Sequence, residues 1–135
     1  MNLEEILNKP YYLIDILPET APADKHYFAV RDSYLDKQLP VFKEKIKDVI
    51  MKAYCYFDYQ FYDHEKDCWI KDFDTDELLK MLDNKEVGIL IEDKAYLYLD
   101  DQDHYLTFYD LDHSAVGIFK SLSESNGLFF RKRDV

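Results

Sequence analysis

Three short apolar runs, Val87–Ile91, Ala95–Leu99 and Tyr105–Tyr109, follow one another with only Glu92-Asp93-Lys94 and Asp100–His104 between them. A parallel strand needs a crossover of a dozen residues or more, so connections this short force the runs to pair antiparallel. They are expected to form a three-stranded meander over about 87–109, with the rest of the chain packed around it. Because successive strand residues point to opposite sides, Ile89, Ile91, Leu97, Leu99, Leu106 and Phe108 can share one face. The other face then receives Gly88, Leu90, Tyr96, Tyr98, Tyr105, Thr107 and Tyr109. The first set suits burial under helices, and the second is unusually rich in tyrosine.

The remaining segments divide into helices and short strands. Leu3, Ile6 and Leu7 fit a short opening helix stopped by Pro10, and Tyr11–Leu17 is an apolar run of strand length. Pro18 and Pro22 bracket a loop, and Tyr27–Val30 reads as a second short strand. Pro40 marks a helix start through its fixed φ and missing N–H. Phe42, Ile46, Val49, Ile50 and Ala53 then recur at helical spacing, opposite a charged stripe that includes Lys43, Glu44 and Lys47. The aromatic density of Tyr54–Tyr62 favours a strand, and His64–Asp72 reads as a loop pinned by Trp69. Asp74 and Glu77 have capping-box spacing ahead of Leu78, Leu79 and Leu82, with an end near Asn84. Ser114 can cap a last helix carrying Ala115, Ile118, Phe119 and Leu122, which Gly127 ends before a closing strand, Leu128–Lys132. The expected fold is α+β, an antiparallel-rich sheet packed against two or three helices.

The 135 residues fit one domain spanning 1–135, and 47% apolar residues supply enough burial to offset the entropy of ordering the chain. No apolar stretch reaches the length of a membrane span, and the start lacks a basic, apolar leader, so a cytoplasmic protein is expected. Cys55 and Cys68 are too few for a disulfide framework and should remain thiols in a reducing compartment.

The formal charge of −11 repels phosphate backbones and anionic lipid, which disfavours direct nucleic-acid or membrane binding. Residues 72–112 carry thirteen acids against Lys80, Lys85 and Lys94, so this segment alone nets −10. Turns of a meander alternate between its ends. Asp83, Glu86, Asp100, Asp101 and Asp103 therefore fall on one rim of the tyrosine face, and Glu92, Asp93, Asp110 and Asp112 on the other. The terminal Arg131-Lys132-Arg133 reads as a solvated end.

Each candidate catalytic or metal motif has a plainer structural reading. Asp110-Leu111-Asp112-His113-Ser114 resembles the DxDx[TV] nucleophile motif of haloacid-dehalogenase-type phosphatases in its two aspartates. Ser114 replaces Thr or Val, however, and too little chain follows for a doubly wound sheet. Asp100–His104 offers oxygen ligands but lacks the Gly and distal Glu of an EF-hand loop. Cys55, His64 and Cys68 lack a fourth zinc ligand at a diagnostic spacing. Pairing either cysteine with His26, His64, His104 or His113 finds no nucleophile signature, and Gly88, Gly117 and Gly127 form no phosphate loop. No enzyme activity, cofactor or metal site is expected.

A tyrosine supplies a rigid apolar body, a polar tip and a ring that attracts Lys or Arg, so a tyrosine face between acidic rims suits a basic protein partner. The residues expected to touch it are Tyr96, Tyr98, Tyr105, Tyr109, Asp100, Asp101 and Asp103. In size, acidity and α+β character the chain resembles the immunity proteins that neutralise basic toxins, a likeness carried by no motif. That resemblance implies an acidic, inhibitor-type binding domain; separately, a monomer or weak dimer is expected. The same features fit an acidic nucleic-acid mimic, or a small-molecule site or enzyme with an aromatic pocket behind Tyr96 and Tyr98. The structural alternative is that these tyrosines form a second buried face, covered by Tyr54–Tyr62 or the opening segment.

Overall fold

The computed structural model describes residues 3–9, 11–18, 28–63, 66–101 and 105–133. The expected meander is formed by β4 (Glu86–Ile91), β5 (Ala95–Asp100) and β6 (Tyr105–Tyr109), each antiparallel to the next. It is the middle of a seven-stranded antiparallel sheet of order β3-β2-β4-β5-β6-β1-β7, with β1 at Tyr11–Asp15, β2 at Tyr59–Asp63, β3 at Cys68–Ile70 and β7 at Phe129–Arg133. The helices are α1 (Leu3–Leu7), α2 (Phe28–Ala53), α3 (Thr75–Leu82) and α4 (His113–Ser125), making a mixed α+β fold. Among the described residues no helix is long and apolar enough to cross a membrane.

One side of the sheet carries the core. Val87, Ile89, Ile91, Leu97, Leu99, Leu106 and Phe108, all odd in β4 and β5 and even in β6, meet Phe42, Ile46, Val49 and Ile50 of α2, Leu78 and Leu82 of α3, and Ala115 and Phe119 of α4. Phe42, Phe108 and Phe119 are almost completely buried. Each such side chain contributes about 1.5–3 kcal/mol relative to exposure, so this interface dominates the favourable side of folding.

Several local expectations are corrected. Pro40 does not open a helix: α2 begins at Phe28 and carries Pro40 in its interior. Leu35 and Leu39 extend the apolar stripe of Phe42, Ile46 and Val49 upstream at three- and four-residue spacing. Burial along that stripe outweighs the backbone bond that proline cannot make. The same helix absorbs Phe28–Val30, expected as strand, while Tyr27 lies outside the described residues. The aromatic run Tyr54–Tyr62 is strand only from Tyr59. Phe57 N–H donates to the Ala53 carbonyl at 3.1 Å, and Tyr54 stacks back on Tyr59 and Phe73 with centroids at 4.9 and 5.3 Å. Finally, β3 replaces part of the expected loop, because Cys68–Ile70 pairs with Phe61–Asp63.

Helix ends follow local chemistry. Asp74 accepts from the Glu77 N–H at 2.8 Å while Glu77 Oε1 accepts from the Asp74 N–H at 3.4 Å, completing the expected capping box. At α4 the cap is Asp112 rather than Ser114. Asp112 is extended and its carboxylate accepts from the Ala115 N–H at 2.8 Å, whereas Ser114 lies inside the first turn. Gly127, at φ +72°, ends α4 in a Schellman arrangement: Leu128 N–H reaches the Ser123 carbonyl at 2.9 Å and Gly127 N–H reaches Glu124 at 3.1 Å.

Candidate functional site

The face turned away from α2, α3 and α4 is built by pleat and register. Tyr96 opposes Tyr109, Tyr98 opposes Thr107, and Gly88 and Leu90 oppose Tyr98 and Tyr96. Strand alternation puts Tyr105 and Asp100 on the same side. Strand β1, inserted beside β6, adds Tyr11 opposite Tyr109, Leu13 opposite Thr107 and Asp15 opposite Tyr105. Beyond it β7 adds Arg133, Arg131 and Phe129 opposite those three. On the far side β2 contributes Gln60 and Tyr62, and β3 contributes Trp69, whose indole meets Tyr62 edge-on at 5.4 Å.

One cross-strand row stands out: Tyr96, Tyr109, Tyr11 and Arg133. The ring centroids of Tyr96 and Tyr109 lie 6.5 Å apart, those of Tyr109 and Tyr11 5.4 Å apart, and the Arg133 guanidinium carbon lies 5.9 Å from the centre of the Tyr11 ring. That last distance is within cation–π range. Gly88 makes room for the row's first member, because a Cβ at this position would overlap the Tyr96 hydroxyl and lie 3.0 Å from its Cζ. Tyr96 therefore lies across β4 instead of standing up from the sheet. Burial pushes the phenol of Tyr96 above its ordinary pKa, with the Glu86 carboxylate and Tyr109 adding to the shift. Burial does the same to Tyr109, helped by Tyr11 and Tyr105 and opposed by Arg133.

This face is partly interior and partly surface. Tyr11, Tyr96, Tyr98, Tyr105 and Tyr109 are half-buried, while Leu13, Leu90, Thr107 and Asp15 on the same side are buried. Tyr54, Phe57, Tyr59 and Phe61 pack on the helical side and β1 joins the sheet edge to edge, while Ile6 of α1 is buried outside the helical-side core, as Leu13 and Leu90 are. Arg131 does not belong to a solvated end, because its guanidinium meets the Asp15 carboxylate at 2.8 Å with both side chains largely buried. Arg131 faces Leu13 in the register, so the pair reaches diagonally across the ladder, and a buried acid beside it holds the guanidinium in place.

The acids divide between the two ends of the meander. Glu86, Asp100 and Asp101 lie at one end, where Asp100 and Asp101 are half-buried and the Asp100 carbonyl accepts from Lys43 Nζ at 3.2 Å. Asp103, also expected there, lies outside the described residues. At the other end Glu92 and Asp93 form the β4–β5 turn with φ of 54° and 55°. Glu92 N–H donates to Asp58 O at 2.9 Å and Asp58 N–H donates to Glu92 Oε1 at 3.0 Å, tying that turn to β2. Asp112 carries the cap described above. The Ala115 amide, then Lys94, holds its carboxyl below the ordinary range, so this aspartate has a structural role.

Other chemistry is sparse. Cys55 and Cys68 are exposed free thiols, and among the described residues no group of His, Cys, Asp and Glu is arranged to hold a metal ion. A cavity of about 830 Å³ lies between β2, β3, α3 and the start of β4; its lining includes Gly88, over which Tyr96 lies, but neither Tyr96 nor Tyr98 themselves.

Sequence reasoning reached the tyrosines of β5 and β6 but missed Tyr11, Arg133 and the Asp15–Arg131 pair. The signal was present as alternation within Tyr11–Asp15 and Phe129–Arg133, but which strands these would join is a long-range property. Compared with known proteins, the chain matches no family model, no curated protein and no solved structure.

Proposed function

We propose that the tyrosine face binds a cationic segment of a protein partner, as an acidic inhibitor or immunity-type domain would. The observation that supports this reading is Arg133 over Tyr11, with Tyr109 and Tyr96 continuing the row. The chain seats its own guanidinium on the first ring, and the following rings offer the same chemistry to arginine or lysine from outside. Acids at both ends of the meander would steer such a partner and make the encounter sensitive to salt.

An oligo-arginine peptide is a suitable probe, titrated at low and moderate salt. Tyr96→Ala and Tyr109→Ala should each weaken binding by roughly three- to tenfold, as expected for a cation–π contact. Tyr109→Phe, which keeps the ring, should bind as the parent does. Asp36→Asn and Asp76→Asn remove charge from exposed helical sites and should change little. Arg133→Ala should strengthen binding by uncovering the Tyr11 ring, whereas Lys132→Ala, equal in charge but on the opposite side of β7, should not. If affinity follows net charge alone and ignores the rings, the tyrosine face is not the binding surface.

A further inference from the structure

The ladder between β2 and β4 covers only Tyr59–Phe61 against Ile89–Ile91. Both strands continue: Tyr62 and Asp63 pair onward with Trp69 and Cys68 of β3, while Glu86–Gly88 pair with Asp100–Tyr98 of β5. The sheet therefore forks at Phe61 and Ile89. The cavity of about 830 Å³ occupies this fork, with α3 and the turn after it on one side. Its apolar lining is Phe61, Ile70, Met81 and Val87. This size lies in the range of small-molecule sites, which pair an apolar bed with a few polar groups.

The charged groups of the fork are not equivalent. Asp63 Oδ1 accepts from the Lys66 N–H at 3.3 Å, the Glu77 carboxylate is engaged in the α3 capping box, and Glu86, exposed at the start of β4, adds a third acid to the lining. Lys80 and Lys85 also line the cavity, and among the described residues neither ammonium has an ion-pair or hydrogen-bond partner. The contrast with Lys94 is informative. These three lysines are the only bases in the acidic segment 72–112, and Lys94 is engaged with Asp112 at 3.6 Å. The two remaining cations of the most acidic stretch of the chain thus both line this one cavity, beside its apolar residues.

We propose that the fork between β2 and β4 binds a small amphipathic carboxylate, its apolar body against Phe61, Ile70, Met81 and Val87 and its anionic head at Lys80 and Lys85. A carboxylate accepts several charge-assisted hydrogen bonds, which two ammonium groups can supply, and the apolar body gains from leaving water. Neither part suffices alone. The acids at the rim repel an anion that has no apolar anchor, and an uncharged chain leaves the lysines unused.

Octanoate, octan-1-ol and acetate separate these contributions when each is titrated against the full chain below its self-association limit and followed by backbone and methyl NMR. Octanoate should bind at one site and shift Met81, Val87 and Ile70, while octan-1-ol binds roughly tenfold more weakly and acetate gives no saturable shift. Lys80→Met with Lys85→Met should weaken octanoate by roughly tenfold or more and leave octan-1-ol unchanged, whereas Lys80→Arg with Lys85→Arg retains octanoate. Both lysines are exposed, and unchanged amide spectra of the variants establish that the fold is intact. Absence of saturable octanoate binding would overturn the proposal. So would shifts centred on Tyr96 and Tyr109, or equal affinity of the parent and the double methionine variant. None of these outcomes depends on whether the tyrosine face binds a cationic partner.

Discussion

Tyr96 and Tyr109 carry the electrostatic signature of the sheet face. Both phenols are held above the ordinary tyrosine pKa, primarily by burial, and Tyr59 on the helical side is raised much further by the same cause. The Tyr59 hydroxyl donates to the Ile50 carbonyl at 2.8 Å inside the core, so its ionised form would lose both solvation and that bond. The sign of the consequence follows from linkage. An unfolded chain loses these protons at the ordinary tyrosine value, near 10, while the folded chain retains them, so stability is intact below that value and falls as pH rises through it. Alkaline titration followed by phenolate absorbance should show an early group of the twelve tyrosines ionising reversibly. A late group should then appear together with unfolding. Tyr59→Phe should reduce the late group by one and cost about 0.5–1.5 kcal/mol, because the Ile50 carbonyl keeps its bond from the Tyr54 N–H at 3.0 Å. Uniform ionisation of all the tyrosines at the ordinary value, with the fold intact, would contradict the burial assigned to these rings.

Among the elements, the meander was legible because its information is local. Period-two alternation across Val87–Ile91, Ala95–Leu99 and Tyr105–Tyr109 assigns each residue a face, and the short connections fix direction. The insertion of β1 between β6 and β7 was not legible, because pairing Tyr11 with both Tyr109 and Arg133 depends on strands nearly the whole chain apart. That is why half of the aromatic row was missing from the sequence reading, and why the fork beside α3, which exists only where one ladder stops, was missing entirely. Helix α2 erred for the opposite reason: a strong local signal, Pro40, was overridden by a longer apolar stripe. The cost of that override is measurable. Proline in a helix interior forfeits the bond to the carbonyl four residues earlier, here Asp36, and Pro40 is exposed. Pro40→Ala should therefore raise stability by about 1–3 kcal/mol in denaturant unfolding. A loss instead would mean that the backbone geometry fixed by Pro40 is what lets Leu35 and Phe42 reach the core together.

At the scale of the whole molecule, charge is distributed against folding. The segment 72–112 nets −10 and, among the described residues, places acids along α3 and at both ends of the meander, so compaction gathers like charges that the unfolded chain spreads apart. Little offsets this repulsion. Lys47–Asp83 at 2.5 Å, Lys52–Asp48 at 3.0 Å and Lys94–Asp112 at 3.6 Å are surface pairs, each worth roughly 0–1 kcal/mol. The better-buried Asp15–Arg131 pair belongs to the sheet face and is screened less by salt. Two effects of added salt therefore compete, loss of weak attractive pairs and relief of a larger repulsion, and the second should win. Raising sodium chloride from about 0.01 M to about 0.3 M shortens the screening length from roughly 30 Å to under 10 Å, less than the extent of the domain. Thermal unfolding should then move upward by a few degrees, and most of the rise should be complete near the lower end of that range. Replacing Glu86 with Gln and Asp110 with Asn, one acid at each end of the meander, should reproduce part of the gain at low salt and reduce the remaining salt response. The same two substitutions should slow association with a cationic peptide, because the charges that strain the fold are those proposed to steer the partner. A protein whose midpoint is independent of salt would separate the two effects, leaving the acidic rims without a role in either stability or encounter.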